Sequence, residues 1–186
     1  MPFELVKPAL DYLPGFKAAL KRGWAPDNLR PAEDAQEKLE KVRENSKAFV
    51  EQLDDPEASG GSVTLPDGSI VPRLPGFNRW MWDGEFCGST GFRWQPGTNE
   101  LPPHVLGHIG YSVVPWKRKR GYATSALGLL LVEIRTHGLA YVLLTADPDN
   151  VPSQKVILAN GGQLVERFQK SAAYGGKEAL RFRINL

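Results

Sequence analysis

Apolar side chains recur along residues 31–53 at Ala35, Leu39, Val42, Phe49, Val50 and Leu53, a helical spacing with one polar interruption at Ser46. Pro31 opens this predicted helix, where its missing N–H costs nothing. Ahead of it, residues 3–6 predict a short strand and 11–23 a helix stopped by Gly23, with Pro26 beyond. The Gly- and Pro-rich stretch 59–76 predicts loop or edge structure. From Arg79 the period changes. Residues 79–82 and 85–94 flank Asp83-Gly84, a strong hairpin turn, and predict two antiparallel strands. Residues 95–103 form a second Pro/Gly loop.

Residues 107–114 alternate, with His108, Gly110, Ser112 and Val114 on one face and Ile109, Tyr111 and Val113 on the other. A basic turn follows, then a largely apolar helix over about 121–136 that Gly138 ends. The unbroken apolar run 140–145 has the signature of a strand covered on both faces. A short helix over 152–159, stopped at Asn160-Gly161, and alternating strands at 163–168 and 179–185 complete the chain. Strand, turn, helix and strand over 107–145 predict a right-handed crossover between parallel strands, with ligands at the strands' carboxyl ends.

Composition narrows the class. The chain has 186 residues, 41% hydrophobic and 24% charged, which suits one globular domain over 1–186 and excludes a disordered or fibrous chain. No apolar run approaches the roughly 20 residues of a membrane span. Residues 1–5 lack a charged-then-apolar leader, so the cytoplasm is the expected compartment. Cys87 is the one cysteine; it can neither form an internal disulfide nor build a cysteine metal site, and no metal is expected. Charge is unevenly spread. Residues 31–58 hold nine acidic side chains against four basic ones, whereas no carboxylate lies between Glu100 and Glu133. There Lys117-Arg118-Lys119-Arg120 stand consecutively.

Four cations at a helix start oppose the local preference, because the first turn leaves backbone N–H groups unpaired and carries about half a positive charge. A bound anion relieves both, and Gly121 allows close approach without a Cβ. The expected ligand is a phosphate or diphosphate. A solvated basic loop or nucleic-acid patch weighs equally on composition alone; the position between a strand and an apolar helix favours the phosphate. Neither GxGxxG nor GxxxxGK[ST] is present.

The stretch Gly107-His-Ile-Gly-Tyr-Ser-Val-Val-Pro-Trp-Lys-Arg-Lys-Arg-Gly-Tyr-Ala123 resembles the acetyl-CoA-binding core of the GNAT superfamily of N-acetyltransferases, in particular its bacterial "predicted acetyltransferase" members. The family's Arg/Gln-x-x-Gly-x-Gly/Ala turn maps onto Arg118, Gly121 and Ala123. Its later segment resembles Asn150, Ser153 and Asn160-Gly161-Gly162. The resemblance implies a single α/β (α+β) domain with a mixed seven-stranded sheet, parallel splayed central strands and about four helices. Residues 1–58 would supply a strand and two helices, and 79–169 the acetyl-CoA core. It further implies acetyl-CoA as cosubstrate between the strands at 107–114 and 140–145. Backbone groups of Ser112, Val113 and Val114 would meet the pantetheine arm. Amides of Lys119, Arg120, Gly121, Tyr122, Ala123 and Thr124 would cradle the diphosphate, and Asn150 and Ser153 would touch the cofactor. Helix capping by Asn150 and a first-turn role for Ser153 are the structural alternatives.

The implied reaction is direct attack of an amine on the thioester, with oxyanion donors near Val113 or Val114. His108 is the first candidate base, because an ordinary imidazole suits proton transfer near neutrality; a structural hydrogen-bonding role competes. Glu85, Asp83 and Asp147 are weaker candidates. Many members carry an acidic tyrosine seven positions after the motif asparagine, where this chain has Ile157. Tyr174 or Tyr111 could replace it, or water could protonate the thiolate. Trp80, Trp82, Trp94 and Trp116 could line an acceptor site, with core the better expectation for at least two. Loops 59–76 and 95–103 are the expected acceptor walls. The acceptor could be a small amine, an amino acid, a peptide N-terminus or a lysine. A non-catalytic CoA sensor and a nucleic-acid module using Lys117–Arg120 are the alternatives, and exposed edges near the C-terminus make a homodimer conceivable.

Overall fold

A three-residue strand, β1 (Glu4–Val6), precedes α1 (Leu13–Lys21), whose Phe16, Ala19 and Leu20 are buried. The computed structural model describes residues 2–27, 29–65 and 67–186, so Met1, Asn28 and Pro66 lie outside it. Pro31 does begin α2 (Pro31–Glu44), but the single long helix expected through residue 53 is two. Asn45 is extended, and its side-chain oxygen accepts the Ala48 N–H at 3.0 Å to start α3 (Ser46–Glu51). The cap stands one residue ahead of the polar interruption at Ser46, which opens α3.

β2 (Asp54–Asp55) follows directly, and the hairpin of β3 (Ser62–Thr64) and β4 (Ile70–Pro72) lies inside the stretch expected to be loop or edge. Then come the long strands β5 (Gly76–Trp82) and β6 (Phe86–Arg93), joined through Asp83-Gly84 as predicted. β7 (Ile109–Val113) leads through a 3₁₀ turn at Pro115–Lys117 into α4 (Tyr122–Ile134). β8 (Tyr141–Ala146), α5 (Val151–Ala159), β9 (Gln163–Gln169) and β10 (Glu178–Asn185) complete the fold.

Adjacent residues of β5 show how the main sheet is sandwiched. Trp80 stacks on Phe16 of α1 at 4.8 Å, within a core that includes Trp24, Val42, Phe49 and Phe86. Met81 points the other way and clusters with Cys87 and Ala126 of α4. Farther along α4, Leu127, Leu130 and Ile134 pack with Val142 and Leu144 of β8 and Phe182 of β10. The result is an α+β domain with five α-helices among the described residues rather than about four.

The sheet differs from the expected one. Among the described residues the strands form three sheets: β1-β5-β6-β7 with β2 also on β5, β8-β10-β9, and the β3-β4 hairpin. Every ladder is antiparallel, so neither the seven-stranded mixed sheet nor the parallel splayed pair is present. The reason lies at the start of β7. The His108 N–H donates to the Leu143 carbonyl at 2.8 Å, but the Leu143 N–H donates to the His108 ring Nδ1 at 2.9 Å. A side chain takes the bond a strand carbonyl would make, and the His108 carbonyl turns to the Arg93 N–H of β6 at 2.9 Å. β8 is also not covered on both faces: Val142, Leu144 and Ala146 are buried, while Tyr141, Leu143 and Thr145 are half-exposed.

Gly88 allows β6 and β7 to close on each other. Its φ is +151°, and a Cβ there would lie 2.2 Å from the Ser112 carbonyl oxygen. Gly88→Ala should therefore lower stability by about 2 kcal/mol or more, read as a lower urea midpoint at unchanged m.

Candidate active site

The basic run divides between inside and outside. Lys117 is buried, its ammonium 2.6 Å from Asp83 and 3.1 Å from Glu85. The Tyr122 hydroxyl donates to the other Asp83 oxygen at 2.5 Å. Burial alone would raise the Asp83 pKa, but the bonds from Lys117 and Tyr122 hold it well below the usual carboxylate range. Cys87 Sγ lies 3.6 Å from the same ammonium, and burial pushes its thiol up to about 11. The β5–β6 turn thus clamps one end of the basic segment.

Arg118, Lys119, Arg120 and Gly121 are exposed. Lys119 and Gly121 have φ of +61° and +80°, which swings the chain into the N-terminus of α4. Among the described residues no side chain caps that terminus, its first turn has no acidic residue, and apart from Gly121 and its chain neighbours nothing lies within 4 Å of where a Gly121 Cβ would be. The first-turn amides of Tyr122, Ala123 and Thr124 have no carbonyl four residues earlier in α4 to bond. A diphosphate fits this arrangement: three cations, open donors and room for close approach.

β7 leads away from the turn with its two edges differently used. The Val114 N–H donates to the Cys87 carbonyl and the Arg93 N–H to the His108 carbonyl, so even-numbered residues bond toward β6. By alternation, the backbone groups of Tyr111 and Val113 face the edge that bears no ladder. Arg118 Nε donates to the Val113 carbonyl there at 3.2 Å.

A cavity of about 250 Å³ lies beyond the other end of β7, lined by β5, β6, the β3–β4 hairpin, His104, Val105 and Tyr174. Asn78, Gly91 and Gly110 stand in one cross-strand row, so part of this sheet face carries no side chain. Arg93 Nη2 would be only 3.7 Å from a Cβ at Gly110.

The family model for the acetyltransferase (GNAT) domain matches residues 19–163. The chain belongs to the GNAT acetyltransferases. No curated protein matches it by sequence. Solved structures share the fold at low identity. A ribosomal L7/L12 α-N-protein acetyltransferase, RimL, in complex with coenzyme A has 13% identity and a TM-score of 0.64, covering 100% of this chain and 95% of that one. The microcin C7 self-immunity acetyltransferase MccE, with acetyl-CoA and AMP, has 16% identity and a TM-score of 0.61 over 99% and 92%. RimJ from Mycobacterium smegmatis, with a CoA disulfide, has 16% identity and a TM-score of 0.60 over 98% and 81%. This chain is accordingly a GNAT N-acetyltransferase.

Several residues singled out from the sequence of this GNAT chain have other work. His108 is fully buried, and burial lowers its pKa to about 4. Because Nδ1 accepts the Leu143 N–H, the ring proton sits on Nε2 and no lone pair is left to take one from an amine. His108 is a structural link, not the expected base. Asp83 is committed to Lys117, and Asp147 to Lys170 at 2.7 Å. Backbone groups of Ser112 and Val114 face β6 rather than an open edge, and Ser112 Oγ accepts the Trp24 indole N–H at 3.0 Å. Asn150 caps α5 by accepting the Ser153 N–H at 3.2 Å, the structural alternative, while Ser153 Oγ meets the Tyr111 hydroxyl at 2.8 Å rather than a backbone group of the first turn. Ile157 is buried core. Trp80 is core with Trp82 and Trp116 packed against its cluster, Trp94 packs against the separate cluster of Phe77 and Phe92, and none lines the cavity. Loop 95–103 braces β8 through Asn99 to Ala140 N–H and Glu100 to the Tyr141 hydroxyl, both at 2.7 Å. Sequence reasoning missed Arg93, whose place depends on a glycine register visible only once strands are paired.

His108 also sets a pH dependence. Its pKa falls from 6.5 unfolded to about 4 folded, so between these values the unfolded chain binds the extra proton. The contribution is complete above about pH 6.5 and drains away as pH drops toward 4. Between pH 7 and 4.5, wild type should lose roughly 2–3 kcal/mol more than His108→Gln, measured by urea denaturation at each pH.

Proposed function

We propose that this N-acetyltransferase holds the diphosphate of acetyl-CoA on the 118–124 turn and accepts its amine in the cavity beside Gly91. The supporting observation is the uncapped, acid-free start of α4 beneath three exposed cations, with open space at Gly121. Gly110 and Val113 are three residues apart, roughly 10 Å along β7. One strand thus runs from the acceptor cavity to the cofactor turn.

The cosubstrate supplies an acetyl group activated as a thioester. The amine nitrogen bonds to the acyl carbon, the carbon–sulfur bond breaks, one proton leaves the nitrogen and one reaches the departing sulfur. In this reading a backbone N–H on the ladder-free edge of β7 is the donor for the developing oxyanion. Val114 is excluded, because its N–H is bound to Cys87. Tyr174 supplies the proton to sulfur. Its hydroxyl donates to the His104 carbonyl at 2.8 Å, and burial raises its pKa, so the proton is retained at neutrality. A sensor that binds acetyl-CoA without transfer is the second reading, favoured by the buried Ile157.

Acetyl-CoA at 100 times its Kd should raise folding stability by about 2.7 kcal/mol in a thermal-shift titration. Arg118→Glu should weaken that binding at least tenfold, and unchanged affinity would remove Arg118 from the site. Tyr174→Phe should lower kcat roughly a hundredfold while the acetyl-CoA shift persists. Binding without thiol release for any amine would leave the sensor reading standing.

A further inference from the structure

The cavity carries an unmatched positive charge. Arg93 closes β6 and makes no side-chain ion pair or hydrogen bond among the described residues, although it lines the cavity. Its surface remains open to solvent, yet the surrounding protein desolvates it and lowers its pKa. A guanidinium in this position stays charged at neutral pH and has five donors to satisfy.

The lining contains a second arginine, Arg73, and one carboxylate, Asp55. Asp55 already accepts from Ser59 N–H at 2.7 Å, Ser59 Oγ at 2.9 Å and Gly60 N–H at 2.9 Å, with Arg73 Nε at 4.0 Å. Arg73 Nε is itself buried without a hydrogen-bond partner. The one carboxylate in the lining is thus largely satisfied by backbone and serine and approached by Arg73, and it forms no ion pair with Arg93. The remaining lining brings no anion: Asn78 donates to the Leu53 carbonyl, and Tyr174 to that of His104.

We infer that the acceptor is an amine of amino-acid size bearing a carboxylate, which Arg93 binds beside Gly91 in the cavity. This rests on the acceptor placement given under Proposed function and adds the substrate's chemical class. Arginine pairs with carboxylates through two parallel bonds, which fixes orientation as well as charge. Gly91 brings no side chain into the lining beside that fork. At about 250 Å³ the space falls below the range typical of drug-sized ligand pockets, which favours a small acceptor over a length of polypeptide.

The test compares each common L-amino acid with its primary amide, measuring thiol release from acetyl-CoA by the full-length protein. The acid of at least one pair should exceed its amide at least tenfold in kcat/KM. Arg93→Gln should abolish that preference mainly through KM, and Arg93→Lys should restore part of it. In all variants the acetyl-CoA thermal shift should be unchanged, which also certifies folding. Amides used as well as acids, an acid preference surviving in Arg93→Gln, or turnover confined to peptides would overturn the inference. If acetyl-CoA binds but no acid in the panel is acetylated, the inference falls and the cofactor site stands; absence of any acetyl-CoA shift in wild type defeats the underlying reading.

Discussion

Two sheets meet through one imidazole, and the geometry of the site follows from that meeting. His108 offers its backbone N–H to Leu143 and receives the Leu143 N–H on a ring nitrogen, so β7 and β8 touch without zipping into a ladder. An ordinary parallel pairing would satisfy the outer edge of β7 along its whole length. Here that edge continues past the contact with its polar groups uncommitted to a neighbouring strand, up to Val113 and the turn beyond. The ring is well suited to this work because burial keeps it neutral, with one nitrogen permanently an acceptor.

The cationic segment obeys a second constraint. Consecutive positive charges at a helix start repel one another and the helix dipole. The fold reduces the conflict by drawing Lys117 inward onto Asp83 and Glu85, leaving three charges rather than four at the surface. Tyr122 from the first turn of α4 grips the same carboxylate. Hairpin turn, 3₁₀ turn and helix start are therefore joined at one side chain, which holds the amides of α4 in place ahead of any ligand. Preorganisation of this kind spares a binding site the cost of ordering itself.

Most elements were legible in the residue pattern because they rest on local physics. Pro31, Asp83-Gly84, Asn160-Gly161 and the alternation at 107–114 mark a helix start, a turn, a cap and a strand through short-range sterics and hydrogen bonding alone. The basic turn at a helix start was legible for the same reason: charge and glycine stand together in the chain. What failed to show were outcomes decided between elements. Whether β7 and β8 form a ladder depends on where one histidine ring points. The role of Lys117 depends on a carboxylate 34 positions away. Arg93 acquires meaning only when Gly91 and Gly110 come into register across two strands. Asn45 is intermediate: the polar break beside it was visible, and its reading as a cap required knowing that the chain changes direction there.

The burial of Cys87 beneath Lys117 has a practical corollary. Electrophiles and peroxide attack the thiolate, and this sulfur is both shielded from solvent and held in its protonated form. The chain's sole sulfhydryl is chemically silent for as long as the native packing persists. Labelling at that atom would consequently register excursions that open the region around it, which makes the molecule its own clock for unfolding.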